Sequence, residues 1–239
     1  MSFLVPERRF DPDLPEMMDL PDADPRLLEE DLRNLRTINR LFGGLTTVRK
    51  HIIPLFDRLP KDQEIRILDL ATGSGDHPIA LVRLAQSLGR RVRIAGIDRN
   101  SAMVAAARRL TQAFDQIEIM EQDILNLDVQ KWKSDIVLCS LALHHFSHEQ
   151  GVELLAAMDR LSTVGFIVND LHRHWLAACS AWVYTHATTR NPLTLNDSYL
   201  SVLRGFTEGD LSSMAREAGL TSHRIYREPV FRLVLVGVH

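Results

Sequence analysis

A chain of 239 residues with 45% apolar and 25% charged side chains is ordinary globular material, long enough for one large α/β domain or two small ones. Its formal net charge of −3 argues against general attraction to nucleic acid or to an acidic membrane surface. No apolar run approaches the ~18 residues of a membrane span. The start, MSFLVPERRF, lacks a signal-type apolar stretch, and Cys139 and Cys179 form no ligand spacing, so a cytoplasmic, reducing location is expected.

Five of the ten prolines (Pro6, Pro12, Pro15, Pro21, Pro25) fall among aspartates at the start of the chain. Such a segment suits neither helix nor central strand, and residues 1–26 are expected to form an extended arm. The remaining residues, 27–239, read as a single domain. From Leu27 to Leu41 apolar positions recur at helical spacing, and Gly43-Gly44 stops that helix. A second helical piece, Thr47 to Leu59, is interrupted by Pro54. Both precede the first strand, so 27–59 is expected to be a helical cap.

Ile65, Ile67, Leu68 and Leu70 then read as a buried strand, Thr72-Gly73-Ser74-Gly75 as a turn, and His77 onward as a helix. Strand, glycine turn and helix N-terminus make a nucleotide-binding corner, because glycine lets a ligand approach the backbone while free helix N–H groups face it. Strands follow at Val92–Asp98, Ile117–Gln122, Ser134–Leu141 and Val164–Asn169. Asn100 or Ser101 caps the helix after the second strand, and a helix spans His148–Leu161 between the last two. The alternation implies a parallel, doubly wound sheet. Residues 171–206 break the pattern and are expected to form an inserted helical cap. Thr207 with Asp210 is a capping-box candidate, and its helix ends at Gly219. The final strands, His223–Arg227 and Phe231–Val238, are too close for a crossover helix and should pair antiparallel at the sheet edge.

Two kinds of corner compete. A dinucleotide site wants a third glycine, whose place Pro78 occupies. Asp98 suits a ribose diol in either kind. Asp69 and Asp76 flank the loop, which is awkward for a pyrophosphate but acceptable for a cationic, phosphate-free ligand.

In this order and spacing LDLATGSGD, GIDRNSAMVAAAR, EQDI and SDIVLCSLALHHF resemble the class I S-adenosylmethionine-dependent methyltransferases, over roughly residues 64–238. The resemblance implies a Rossmann-like, seven-stranded, mostly parallel sheet with the last strand antiparallel. It places Asp69, Ala71, Gly73 and Gly75 along the methionine part, with Asp76 nearby. Asp98 would hold the ribose hydroxyls, flanked by Arg99 and Met103, and Asp123 the adenine amino group, with Ile124 on the ring. Ser140 and Leu141 would face the transferred methyl. Blander roles remain open: Asp123 as a helix cap, and Asp69 as an organiser of the loop backbone.

Where methyltransferases acting on base amines or glutamine amides carry an Asn/Asp-Pro-Pro-aromatic run, this chain has Ser140-Leu141-Ala142-Leu143-His144-His145-Phe146. That form is similar to small-molecule methyltransferases, and NLRTINRLFGG, VNDLHRH and SVLRGFT to bacterial enzymes encoded beside polyketide synthases. The expected reaction is methylation of a phenolic hydroxyl of a polyketide-type metabolite. The alternatives are C-methylation in a quinol or quinone pathway, a methyltransferase-like binding protein without turnover, and, last, a dehydrogenase. A base removing the phenolic proton is expected at His145 or His172, since histidine titrates near neutrality and both follow strands. His144, Asp170 and His174 are further candidates. The pairs His145/His148 and His172/His174 have no acidic or cysteine cluster nearby to complete a metal site, and no metal is expected. The acceptor pocket is expected between 27–59 and 171–206, with Leu41, Phe42, Trp175, Trp182, Tyr199 and Phe206 as its wall. Oligomeric state is not legible.

Overall fold

The computed structural model describes residues 4–20 and 23–239; those parts of the arm expectation that fall on residues 1–3, 21 and 22 lie outside it. In chain order the elements are α1 (Pro25–Leu41), α2 (Gly44–Phe56), β1 (Glu64–Leu70), α3 (Asp76–Ser87), β2 (Arg91–Asp98), α4 (Ser101–Thr111) and β3 (Ile117–Glu121). They continue as α5 (Val129–Trp132), β4 (Ser134–Ser140), α6 (His148–Leu161), β5 (Ser162–Leu171), α7 (Trp175–Thr188), α8 (Pro192–Arg204), α9 (Glu208–Glu217), β6 (His223–Glu228) and β7 (Arg232–Val238).

The sheet order is β3-β2-β1-β4-β5-β7-β6. The first five strands are parallel, and β7 runs antiparallel to both β5 and β6. The two last strands pair antiparallel at the sheet edge, with β7 between β5 and β6. The composition explains which one goes inside. RLVLVGV is apolar on both faces and nearly all buried, whereas HRIYRE alternates and leaves one face to solvent. One face of the sheet buries Val48, Ile52, Leu55, Leu81 and Val82 from α2 and α3 against Ile67, Ile136 and Ile167. The other buries Leu154, Leu155 and Met158 of α6 and Leu211 and Met214 of α9 against Leu68, Val137 and Phe166.

The expected N-terminal cap therefore divides. α2 is a core helix against the sheet, with Pro54 inside its last turn and no interruption there. Gly43, at φ 77°, is its left-handed N-cap. Only α1 stays outside the layers. Asp24 caps it, accepting from the Arg26 and Leu27 amides. α1 packs its Leu28 and Leu32 against Leu193 of α8 and Met103 of α4.

At the α1–α8 contact the buried Asp31 accepts a 2.6 Å hydrogen bond from Thr194 Oγ1, and its other oxygen has no partner. Burial, helped by the charges of Asp197, Glu16 and Glu30 and opposed by the Thr194 bond, pushes its carboxyl up to about 7. The folded state then holds a proton that the unfolded chain has released. The stability this contributes is complete below the unfolded pKa of ~3.9 and is lost as pH rises to about 7. Asp31→Asn should remove that component of the slope and melt higher than the wild type at pH 8. Thermal melts at pH 5 and pH 8 check it, and an equal pH dependence in both proteins would be inconsistent with this account.

Candidate active site

The parallel strands end on one side of the sheet, and the order reverses between β1 and β4, which opens a crevice there. Ala71 leaves β1 at φ 53° and Leu141 leaves β4 at φ 56°. Val230 and Phe231, in the β6–β7 turn, have φ of 60° and 55°. These four are the non-glycine residues with positive φ among those described, and all four line one cavity of about 310 Å³. Left-handed backbone is costly for a β-branched valine. Its concentration here makes this cavity the candidate site.

The glycine turn is arranged as expected. Gly73, at φ 55°, faces open space where a side chain would lie, so a ligand can reach its backbone. Gly75, at φ 79°, is the N-cap of α3, and a Cβ there would come to 3.0 Å of Thr111. Its role is close packing of the loop on α4. Asp98 accepts from the amides of Gly73 and Asn100, each at 2.9 Å, and so ties β2 to the loop. Burial raises its pKa. Asp69 accepts from Thr72 Oγ1 at 2.6 Å, and burial pushes its carboxyl to about 7. Asp76 accepts from Asn39 Nδ2 at 3.0 Å.

Asp69, Ala71, Gly73, Asp76, Ser140 and Leu141 all line the cavity. The other residues implied by the resemblance are not among those lining it. Asp123 does cap a turn, accepting from the Leu125 amide at 3.0 Å and Asn126 Nδ2 at 2.7 Å. Arg99 is exposed, Ile124 is buried in the α6 core, and Met103 is committed to α1. Asn39 Oδ1, His77 Nδ1, Asn169 Oδ1 and two nitrogens of Arg232 are buried without partners, and Asn39, His77 and Arg232 line the cavity. Buried polar atoms left unpaired are costly, so these fit a polar ligand that completes them. A cofactor with a carboxylate, an amine and a ribose diol has the groups to do so.

Both outlying segments reach the cavity: Leu32, Leu35, Ile38 and Phe42 at the α1 end, Ala177, Ala181 and Tyr184 from α7, Ser198, Ser201 and Val202 from α8. The wall differs from the expected one. Of the six residues named from sequence only Phe42 lines it, edge-on to Tyr184 at 5.0 Å. Leu41, Trp175 and Trp182 are 62%, 37% and 50% exposed, Phe206 sits in the main core, and Tyr199 packs between α7 and α8. α7 is apolar on nearly every side, so its sequence carries no periodicity to say which face turns inward.

The histidines divide as well. His172 does not line the cavity. Leu171 is the last β5 residue on the wall, and side chains alternate along extended chain, so His172 turns away toward Arg227 and Glu208. Its pKa is lowered, by burial first and then by the Arg227 charge. Of the paired histidines, His148 bonds Glu217 at the surface, and the His172 and His174 rings lie 6.1 Å apart outside the cavity.

His144 and His145 are brought to the cavity by a short turn after β4, with ring centroids 4.4 Å apart. Their partners come from elsewhere. His144 Nδ1 meets Asp170 Oδ1 at 2.7 Å, and His145 Nδ1 meets Asp19 Oδ2 at 3.0 Å. The buried Glu16 faces both Nε2 atoms, at 3.7 and 3.8 Å. Burial alone would lower the His145 pKa, but Glu16, Asp19 and Asp170 more than reverse this and raise it to about 9. With nothing bound at its Nε2, His145 is therefore held toward its protonated form at neutral pH, which makes it a poor base.

Sequence reasoning missed Glu16 and Asp19, because the arm was read only as extended chain. In the structure it is tied down by Arg173, which donates to the carbonyls of Pro6 and Gly205 at 2.8 and 2.7 Å. A single turn at Met17–Asp19, with the Met17 and Met18 amides donating to Asp197, then delivers the two acids. No motif announces this, since the contact spans 126 positions.

A family model described as a methyltransferase domain matches residues 67–165. No curated protein matches the chain. Among solved structures, the plantazolicin methyltransferase BpumL in complex with S-adenosylhomocysteine superposes with a TM-score of 0.68 at 13% identity, over 94% of this chain and 93% of that one. The magnesium protoporphyrin IX methyltransferase ChlM of Synechocystis PCC 6803 gives 0.55 at 17% identity, over 82% and 80%. The CMeT domain of the citrinin polyketide synthase gives 0.61 at 14%, over 82% of this chain and 52% of that one. At such identities the likeness is one of fold. The family match runs over the glycine loop, Asp98, Asp123 and β4, so residues 67–165 are similar to a methyltransferase domain, and the sheet around them has the fold of S-adenosylmethionine-dependent methyltransferases.

Proposed function

We propose that the enzyme methylates a phenolic oxygen of a small aromatic acceptor of polyketide type. The observation that carries this reading is the cavity itself: the loop residues Asp69 and Gly73 and the β4-end residues Ser140 and Leu141 share it with an apolar chamber walled by α1, α7 and α8. Phe42, Tyr184, Leu171 and Phe231 line the chamber, and a flat aromatic would lie among them with its polar edge toward the histidine turn. Bound in the loop, S-adenosylmethionine supplies an electrophilic methyl group on a sulfonium. The chain's own residues do the rest. Leu32, Leu35 and Ile38 exclude water. The left-handed turn at Leu141 shapes the wall at the end of β4, and the two caps hold the acceptor in line, the alignment from which most of the rate comes. The polar turn at His144–His145 receives the reacting hydroxyl.

Ala181 offers a test that spares the cofactor loop, because it lines the chamber from α7. Ala181→Phe should keep S-adenosylhomocysteine affinity by calorimetry and lose methylation of every phenol in a panel that the wild type accepts. Products characterised by NMR separate oxygen from carbon methylation. An undiminished turnover in the variant, or methylated ring carbon in the wild-type product, would refute the proposal.

A further inference from the structure

Glu16, His144 and His145 present one carboxylate oxygen and two imidazole nitrogens within 4.8 Å of one another, on the wall of the same cavity as Ser140 and Leu141. We infer that these three side chains form a site for a divalent first-row transition metal ion, of the Zn²⁺, Fe²⁺ or Mn²⁺ class.

The support lies in how each ligand is held. Metal-binding imidazoles characteristically donate their second N–H to a carboxylate, which fixes the tautomer and aims the free nitrogen. Here both do so. Asp170, wholly buried, takes the Nδ1 side of His144 and also accepts from the His144 amide at 3.2 Å, while Asp19 takes the Nδ1 side of His145. Both Nε2 atoms are thereby turned toward Glu16. Glu16 is itself anchored from behind by Ser201 Oγ at 2.8 Å and by Arg204 at 3.7 Å, the support a ligating carboxylate needs. Small side-chain rotations bring three atoms so placed onto bonds of ~2.0–2.2 Å. Two imidazoles and one carboxylate select a borderline transition metal over Mg²⁺ or Ca²⁺, which prefer all-oxygen shells.

Three protein ligands leave coordination positions open toward the chamber. The role this gives the ion rests on the O-methylation reading: it would fix the acceptor's hydroxyl and ease its ionisation. The hydroxyl proton passes to water, the O–C bond forms as the S–C bond breaks, and neutral sulfide leaves. A vicinal diol or hydroxyketone on the aromatic ring, able to chelate, is the acceptor class such a site favours.

The test reads metal binding without any acceptor, so it stands apart from the assignment of the reaction. Untagged full-length protein, stripped with a chelator and titrated with Co²⁺, should take up one equivalent and develop visible d–d absorption. His145→Gln, at a half-buried position, should abolish that spectrum while S-adenosylhomocysteine affinity is kept, which also reports that the variant is folded. Asp19→Asn, which only removes the orienting acid, should weaken Co²⁺ binding by ~10–100-fold. No stoichiometric uptake by the wild type, or an unchanged spectrum in His145→Gln, would overturn the inference.

Discussion

Asp98→Ala should bind S-adenosylhomocysteine ~10–100-fold more weakly than the wild type, corresponding to the ~1.5–3 kcal/mol of a hydrogen bond to a charged group. The carboxylate does two things at once. It ends β2, where the sequence resemblance places the ribose of a bound cofactor, and it already accepts from the amides of Gly73 and Asn100. Removing it deletes the acceptor and also releases the turn. Asp98→Asn discriminates between the two contributions: its amide oxygen can keep one backbone contact, so it should fall between wild type and alanine. Calorimetry on folded protein decides the matter, and an alanine variant with wild-type affinity would remove Asp98 from the site. Asp123→Ala should cost less, since Asp123 caps its own short turn and a water can replace one acceptor.

The second large effect is expected far from the cofactor. Arg173→Met should lower stability by about 3 kcal/mol, because the carbonyls of Pro6 and Gly205 lose their donor in a buried setting. For a chain of this size that is on the order of 6–12 °C in melting temperature. The ion pair to Asp210 at 3.1 Å adds less, since Asp210 is partly exposed. The arm should then loosen, and limited proteolysis should cut faster within residues 7–20. Cofactor affinity should change little, because no residue of the glycine loop touches Arg173. A variant that melts and digests like the wild type would show that the arm is held by other contacts, Arg8 on Phe206 and Arg204 on Leu14 among them.

Much of this protein was legible in its sequence, and the reason is locality. The glycine corner needs positive φ at Gly73 and Gly75, and those residues declare it. The capping box at Thr207, the fully apolar β4 and the alternation of strands with helices all follow from rules that reach over a few residues. Those rules suffice for the sheet, the loop and the acids at the strand ends.

Tertiary structure decided the rest, wherever the partner of a residue lies far along the chain. Local pattern could not choose the face of α7, because it is apolar all round, nor reveal that α2 belongs to the core while α1 does not. His145 looked like a base because isolated histidine titrates near neutrality. Its pKa is raised to about 9 here because an arm that reads as mere linker folds Glu16 and Asp19 against it. The strain at Leu141, Val230 and Phe231 has no signature in residue type, since none is glycine or asparagine. Such conformations persist only when the surrounding fold over-determines them, and so they come into view only once the fold is complete.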